Sequence, residues 1–178
     1  MRATHNIVLA SNNRHKLEEF RALFKNYEDV VVLPARDFIR NSDKLALLEK
    51  DESYLENAII KARHGNSASH YPCLGDDSGL EISALDGKPG VRSARYAPTQ
   101  VGLSQDQANL EKVLEELKGH PMNQRSARMI CHLALVIEGI LVTADGVLEG
   151  TIAEAPQGSN GFGYDPIFIP KGKKITFG

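Results

Sequence analysis

Residues 7–24 read Ile-Val-Leu-Ala-Ser-Asn-Asn-Arg-His-Lys-Leu-Glu-Glu-Phe-Arg-Ala-Leu-Phe, and their pattern changes midway. Ile7–Ala10 is a short unbroken apolar run, which suits a buried strand. Asn12 and Asn13 bring helix-capping side chains, and Leu17, Phe20 and Phe24 then recur at i, i+3 and i+7 on one helical face. A strand feeding directly into an amphipathic helix is the building unit of α/β folds.

The rest of the chain mixes the same ingredients. Val30–Leu33 reads as a second strand, stopped by Pro34, and residues 36–52 read as polar and irregular. Ser53-x-x-Glu56 is a capping box; its helix turns Leu55, Ala58, Ile59 and Ala62 inward and sets Asn57, Lys61 and His64 on another stripe. Cys73–Gly75 and Leu80–Leu85 read as strands on either side of an acidic turn. Ser104-x-x-Gln107 opens a helix with a Leu110, Val113, Leu114 and Leu117 stripe. Arg128–Glu138 and Ile140–Val147 are β-rich runs meeting at Gly139, a hairpin signal. Gly158–Pro166 is a loop by composition. The expectation is an α/β domain with a mixed sheet.

Composition narrows the function. A chain of 178 residues builds one substantial core. A net charge of −2 gives no global field for duplex nucleic acid, so a polyanionic ligand must meet a local cluster of cations. Cys73 and Cys131 form no CxxC pair, which argues against zinc and disulfide frameworks. Ile7–Ala10 is too short for a membrane span or a signal-peptide core, and a cytoplasmic location is the default.

Four segments carry candidate chemistry. Arg14, His15 and Lys16 occupy a helix first turn that favours acids, which fits either a solvated helix start or a phosphate seat. Asp76-Asp77-Ser78-Gly79 sets two repelling carboxylates side by side, as either an Asx turn or ligands for a hard divalent cation. Glu49 opens an acidic stretch, Glu49-Lys-Asp-Glu52, before the helix that carries Lys61. This is either a charged surface or a further metal ligand facing a phosphate-binding lysine. In Gly161-Phe-Gly-Tyr-Asp165, an aromatic between glycines can stack on a base while Asp165 accepts from its edge, or it can plug the core. No P-loop pattern occurs, and Gly161-x-Gly163 lacks the third glycine of a dinucleotide fingerprint.

Together, LASNNRHKLEE (9–19), LENAIIKARH (55–64), GDDSGLEISALDGKPGVRSARYA (75–97) and GFGYDPIF (161–168) resemble, in order and spacing, the inosine triphosphate pyrophosphatase family. These enzymes act on non-canonical purine nucleoside triphosphates. The resemblance implies an elongated two-lobed α/β domain over residues 1–178, with a long central mixed sheet, a cleft between lobes, and a homodimer. It implies Mg²⁺-dependent hydrolysis of ITP, dITP and XTP to monophosphate and pyrophosphate. By position, Ser11, Asn13, Lys16 and Lys61 match phosphate contacts, Glu49 and Asp77 the metal carboxylates, and Asp77 also the general base. Ser78 matches a substrate contact, and Phe162, Gly163, Tyr164 and Asp165 the base-binding segment. The family continues past the equivalent of Phe177 into a helical tail with a lysine and a Ser-His-Arg motif. This sequence stops at Gly178, so weak preference for ITP over ATP is expected of the chain as it stands. The competing readings are a Maf-type pyrophosphatase acting on modified pyrimidine nucleotides and a catalytically silent nucleotide-binding dimer module.

Overall fold

A computed structural model describes residues 4–49 and 53–178. Its strands are β1 (His5–Leu9), β2 (Val30–Pro34), β3 (Cys73–Ile82), β4 (Pro89–Gly90), β5 (Ser126–Ile137), β6 (Ile140–Ile152) and β7 (Phe168–Pro170). Its helices are α1 (Arg14–Phe24), α2 (Ala35–Phe38), α3 (Tyr54–Ser69) and α4 (Gln105–Glu116). The strands form one sheet in the order β2-β1-β3-β5-β6-β7, with β4 paired to β3. β1 runs parallel to β2 and β3, whereas β3–β4 and β6–β7 are antiparallel. The fold is thus α/β with a central mixed sheet.

The chain divides into two compact units: residues 1–77 with 132–145, and residues 78–131 with 146–178. β3, β5 and β6 each pass from one unit into the other. The first unit buries Leu9, Phe20, Val32 and Leu74 in one cluster, and Val8, Ala35, Ile39, Leu45 and Cys73 in another. The second buries Leu80, Ile82, Val113, Leu117, Ile152 and Phe168 around α4. The Ser53 and Ser104 hydroxyls accept from the third residue of α3 and α4, the N-cap half of each capping box. Glu138 and Gly139 both have positive φ, the two-residue turn that matches strand twist in a hairpin.

Two expectations need correction. The Asp76-Asp77-Ser78-Gly79 stretch is not a turn; β3 runs straight through it, and Ser83–Leu85 beyond it is a 3₁₀ helix. Extended backbone persists because each carboxylate has a partner, described below. The 36–52 stretch is not irregular where described, since it contains α2 and a 3₁₀ helix over Ser42–Leu48. Ile39 and Leu45 anchor these turns in the core, and the surrounding polar residues masked that in the sequence. Lys50, Asp51 and Glu52 of the acidic stretch lie outside the described residues.

Candidate active site

Strand register builds the site. Val8 pairs with Cys73 and Leu9 with Leu74, so the residues that follow the end of β1 lie beside Gly75–Asp77, which are still within β3. The carboxyl end of a parallel strand is where α/β sheets bind ligands, and here β1 supplies that end. The Ser11 hydroxyl accepts from Asn13 N at 3.1 Å, and Asn13 Oδ1 caps α1 by accepting from His15 N at 2.9 Å and Lys16 N at 3.3 Å. A phosphate against this helix start would compete with Asn13 for those amides. Lys16 reaches across to Asp76, with Nζ 3.0 Å from Oδ1.

α3 supplies the other half of the charge cluster. Gly75 has no side chain, and a Cβ there would lie 2.0 Å from the Ala58 carbonyl oxygen. This lets α3 press directly on β3. Asn57 and Lys61, one turn apart on the helix, then reach Asp77: Asn57 Nδ2 donates to Oδ2 at 3.1 Å and Lys61 Nζ to Oδ1 at 2.9 Å. Lys61 Nζ also donates to Glu49 Oε1 at 2.9 Å and to the Asp76 carbonyl. Lys61, Asp76 and Asp77 are 4, 4 and 6% exposed, so this is a buried network of opposite charges.

Burial pushes the Asp77 carboxyl above the ordinary carboxylate range, against the pull of Lys61 and Asn57. Burial also works against the Lys61 ammonium, but the charges of Asp77 and Glu49 outweigh it and hold its pKa above the ordinary lysine value. The two directions are compatible. Lys61 has two anionic partners, whereas Asp77 has one cation and a like-charged neighbour.

The donor set suits a hard cation. Glu49 Oε1 and Asp77 Oδ1 both touch one atom, so their separation is at most twice that contact distance. Among the described residues no three His, Cys, Asp or Glu side chains gather as a metal site. Two carboxylates are what Mg²⁺ typically takes from protein, with water and phosphate oxygens completing its shell.

In the second unit, Ser78 is half-buried on β3. Phe162 is half-buried in its loop, where Phe162 N donates to Asp165 Oδ2 at 2.9 Å and Gly163 N to Asp106 Oδ2 at 3.1 Å. Tyr164 is buried in the core, its hydroxyl donating to Ser93 O at 2.8 Å. The Tyr164 side chain therefore serves packing, and the Asp165 carboxylate holds its own loop. A groove of about 670 Å³ in this unit includes Glu81, Arg128, Glu149 and Lys171 but none of the candidate residues. Four of its charges pair, Arg128 with Glu81 and Lys171 with Glu149, and Lys173 lines it as well.

Three contributors have no assigned role in the sequence. Asn57 stands on the Lys61 stripe at i, i+4, and that spacing is the signal for its contact with Asp77. Asp76 reads there as half of a carboxylate pair, and Asp106 gives no signal beyond an acid in a helix first turn.

Similar proteins place the chain. It matches the Ham1 family over residues 7–178 and belongs to that family. It is 45% identical over 172 residues to the dITP/XTP pyrophosphatase of Bacillus subtilis, covering 95% of this chain and 82% of that one. A HAM1 protein of Coxiella burnetii of known structure superposes with a TM-score of 0.78 at 39% identity, over 98% of this chain and 86% of the other. The nucleoside-triphosphatase / dITP/XTP pyrophosphatase of Mycobacterium abscessus gives a TM-score of 0.73 at 36% identity, over 97% and 86%. No helix among the described residues is long and apolar enough to cross a membrane.

Proposed function

We propose that this chain hydrolyses non-canonical purine nucleoside triphosphates, dITP, ITP and XTP, to the monophosphate and pyrophosphate, with Mg²⁺ as cofactor. The two units belong to one pyrophosphatase domain on this reading. The observation that carries it is the convergence of Glu49, Asp77 and the Asp76 carbonyl on Lys61 Nζ. The names of the similar proteins support the same substrate class.

Glu49 and Asp77 would hold the metal, which supplies positive charge to the phosphates and acidity to bound water. Lys61 sits on the same two carboxylates. When a triphosphate binds, the lysine can transfer part of its attraction from carboxylate to phosphate oxygen without leaving the cluster. Asp77 orients the water that attacks the α-phosphorus in line and takes its proton. A carboxyl raised above its ordinary range is the better base for that step. Asn57 holds Oδ2, which fixes the carboxylate plane. Lys16 and Lys61 stabilise charge on the departing pyrophosphate.

Phe162 provides a face on which the purine stacks. Stacking alone does not separate hypoxanthine from adenine; selectivity requires a hydrogen-bond donor to the 6-oxo group, which an adenine amino group leaves unpaired. A homodimer, implied by the resemblance, completes the proposal. Exposed Ile140 and Val142, two residues apart on one face of β6, give apolar surface for a second copy to cover, and light scattering tests it.

Pyrophosphate release from a panel of triphosphates, with and without Mg²⁺, tests the reading. Metal-dependent release from dITP and XTP supports it. Release from modified pyrimidine nucleotides alone would favour the Maf-type reading, and none at all a silent binding module.

A further inference from the structure

Two consecutive peptide N–H groups in the 161–165 loop are each taken by a carboxylate. Phe162 N donates to Asp165 Oδ2 at 2.9 Å, and Gly163 N donates to Asp106 Oδ2 at 3.1 Å. The first bond is local, three residues along the chain, but the second spans 57 residues and comes from the first turn of α4. One helical turn further on, α4 and the loop meet the same acceptor: Asn109 Nδ2 donates to Ser93 O at 3.1 Å, and the Tyr164 hydroxyl donates to that carbonyl at 2.8 Å. Asn109 is 2% and Tyr164 8% exposed, so this shared acceptor belongs to the core. The Asp106 hold is at the surface.

The loop has reason to need both carboxylates. Gly161 and Gly163 have φ of 72° and 58°, so the backbone on either side of Phe162 has glycine's conformational freedom. Phe162 belongs to no strand or long helix that would fix its direction. A ring that stacks on a flat ligand binds more tightly if it is already oriented, because ordering it during binding subtracts from affinity. A carboxylate on an N–H makes a charge-assisted bond, stronger than a neutral one. With Asp165 on one peptide and Asp106 on the next, both ends of the Phe162 residue are pinned.

We propose that Asp106 is a positioning residue for purine binding, acting through Gly163 N to set the orientation of Phe162. This rests on the reading of Phe162 as the stacking side chain.

The test compares Asp106→Ala and Asp106→Asn in the full chain, by steady-state kinetics on dITP with Mg²⁺ and by hydrogen exchange at the Gly163 amide. Asp106→Ala should speed that exchange and raise KM roughly 3–10-fold, the loss of about one hydrogen bond, with kcat nearly unchanged. Asp106→Asn keeps an acceptor oxygen and should recover most of both. In a Phe162→Ala background, Asp106→Ala should add nothing to KM. Unchanged Gly163 exchange, or KM effects that simply add, would overturn the proposal. If Phe162→Ala raises KM and Asp106→Ala does not, positioning fails and stacking survives. If Asp106→Ala loosens Gly163 while Phe162→Ala leaves KM unchanged, the stacking reading fails and takes this role of Asp106 with it.

Discussion

Lys61 in the first unit and Arg125 in the second are both buried cations, 4% and 3% exposed, but their partners differ in kind. Arg125 gives its guanidinium to backbone carbonyls: Ile152 O at 2.8 Å, Leu117 O at 2.9 Å and Ala153 O at 2.8 Å. Burial holds its pKa below the ordinary arginine value, with the Glu154 charge opposing. Lys61 instead sits among Glu49, Asp77 and one carbonyl. Neutral carbonyls at fixed positions tie the end of α4 to the end of β6 and offer nothing to a ligand. Carboxylates around a lysine can be shared out again when a metal and a phosphate arrive. Under the proposed function, the Arg125 arrangement is structural and the Lys61 arrangement is the one that serves catalysis.

The largest expected effect tests that division at the metal. Chelation with EDTA should take pyrophosphate release from dITP to background, and Mg²⁺ should restore it. Two carboxylates and two lysines cannot manage a triphosphate's charge alone. Full activity after chelation would detach the carboxylate pair from the chemistry.

The next pair of variants separates the two cations. Lys61→Met should lower kcat by at least about 10²-fold, even well below its melting temperature. It should also destabilise the fold, because Asp77 loses its cation. Adding Asp77→Asn should recover stability without recovering activity. Arg125→Met should do the reverse. Each orphaned buried acceptor costs on the order of 1–3 kcal/mol, so denaturant unfolding should show a loss of about 3 kcal/mol or more with kcat of the folded protein unchanged. A stable, inactive Arg125→Met would erase the distinction.

Phe162→Ala should be milder, raising KM for dITP and XTP alike by the loss of about 1–3 kcal/mol of stacking, with kcat little changed. A lowered melting temperature with unchanged KM would make Phe162 a core plug.

The smallest effect concerns pH. The folded-state pKa of Lys61 lies above the unfolded lysine value. Its contribution to stability is therefore full below the unfolded value and is lost as pH rises through the folded one. The gap in urea midpoint between wild type and Lys61→Met should stay constant from neutral pH to about 10 and narrow above it. A gap that narrows near neutral pH would mean that Lys61 is not held charged by its carboxylates.

Local signals made much of the fold legible: two capping boxes, the change of period at residues 7–24, and the hairpin at Gly139. What they missed was set at a distance. Asp76-Asp77 looks like a turn because adjacent carboxylates are poor strand formers. They remain in β3 because Lys16, 60 residues away, and Lys61 on α3 compensate them. The need for Gly75 is likewise invisible until α3 packs on β3. In the site, Lys16, Lys61, Glu49 and Asp77 were readable as residue types, and the structure joins them in one network. Tyr164 falls in the base-binding segment by resemblance alone, and its side chain goes to the core, a contact with Ser93 that lies 71 residues away in sequence.

Under the proposed function, Asp77 is the base at the heart of the charge cluster. Asp77→Asn is nearly isosteric and can still accept from Lys61. Its new amide nitrogen replaces the oxygen that accepts from Asn57, and a turned Asn57 amide restores that bond by presenting its oxygen, so the fold should survive. It cannot take a proton from water or lend full charge to a metal. Pyrophosphate release from dITP at saturating Mg²⁺ should fall at least about 10²-fold in kcat, with a melting temperature close to wild type. Near-normal turnover in a folded Asp77→Asn protein would contradict the account.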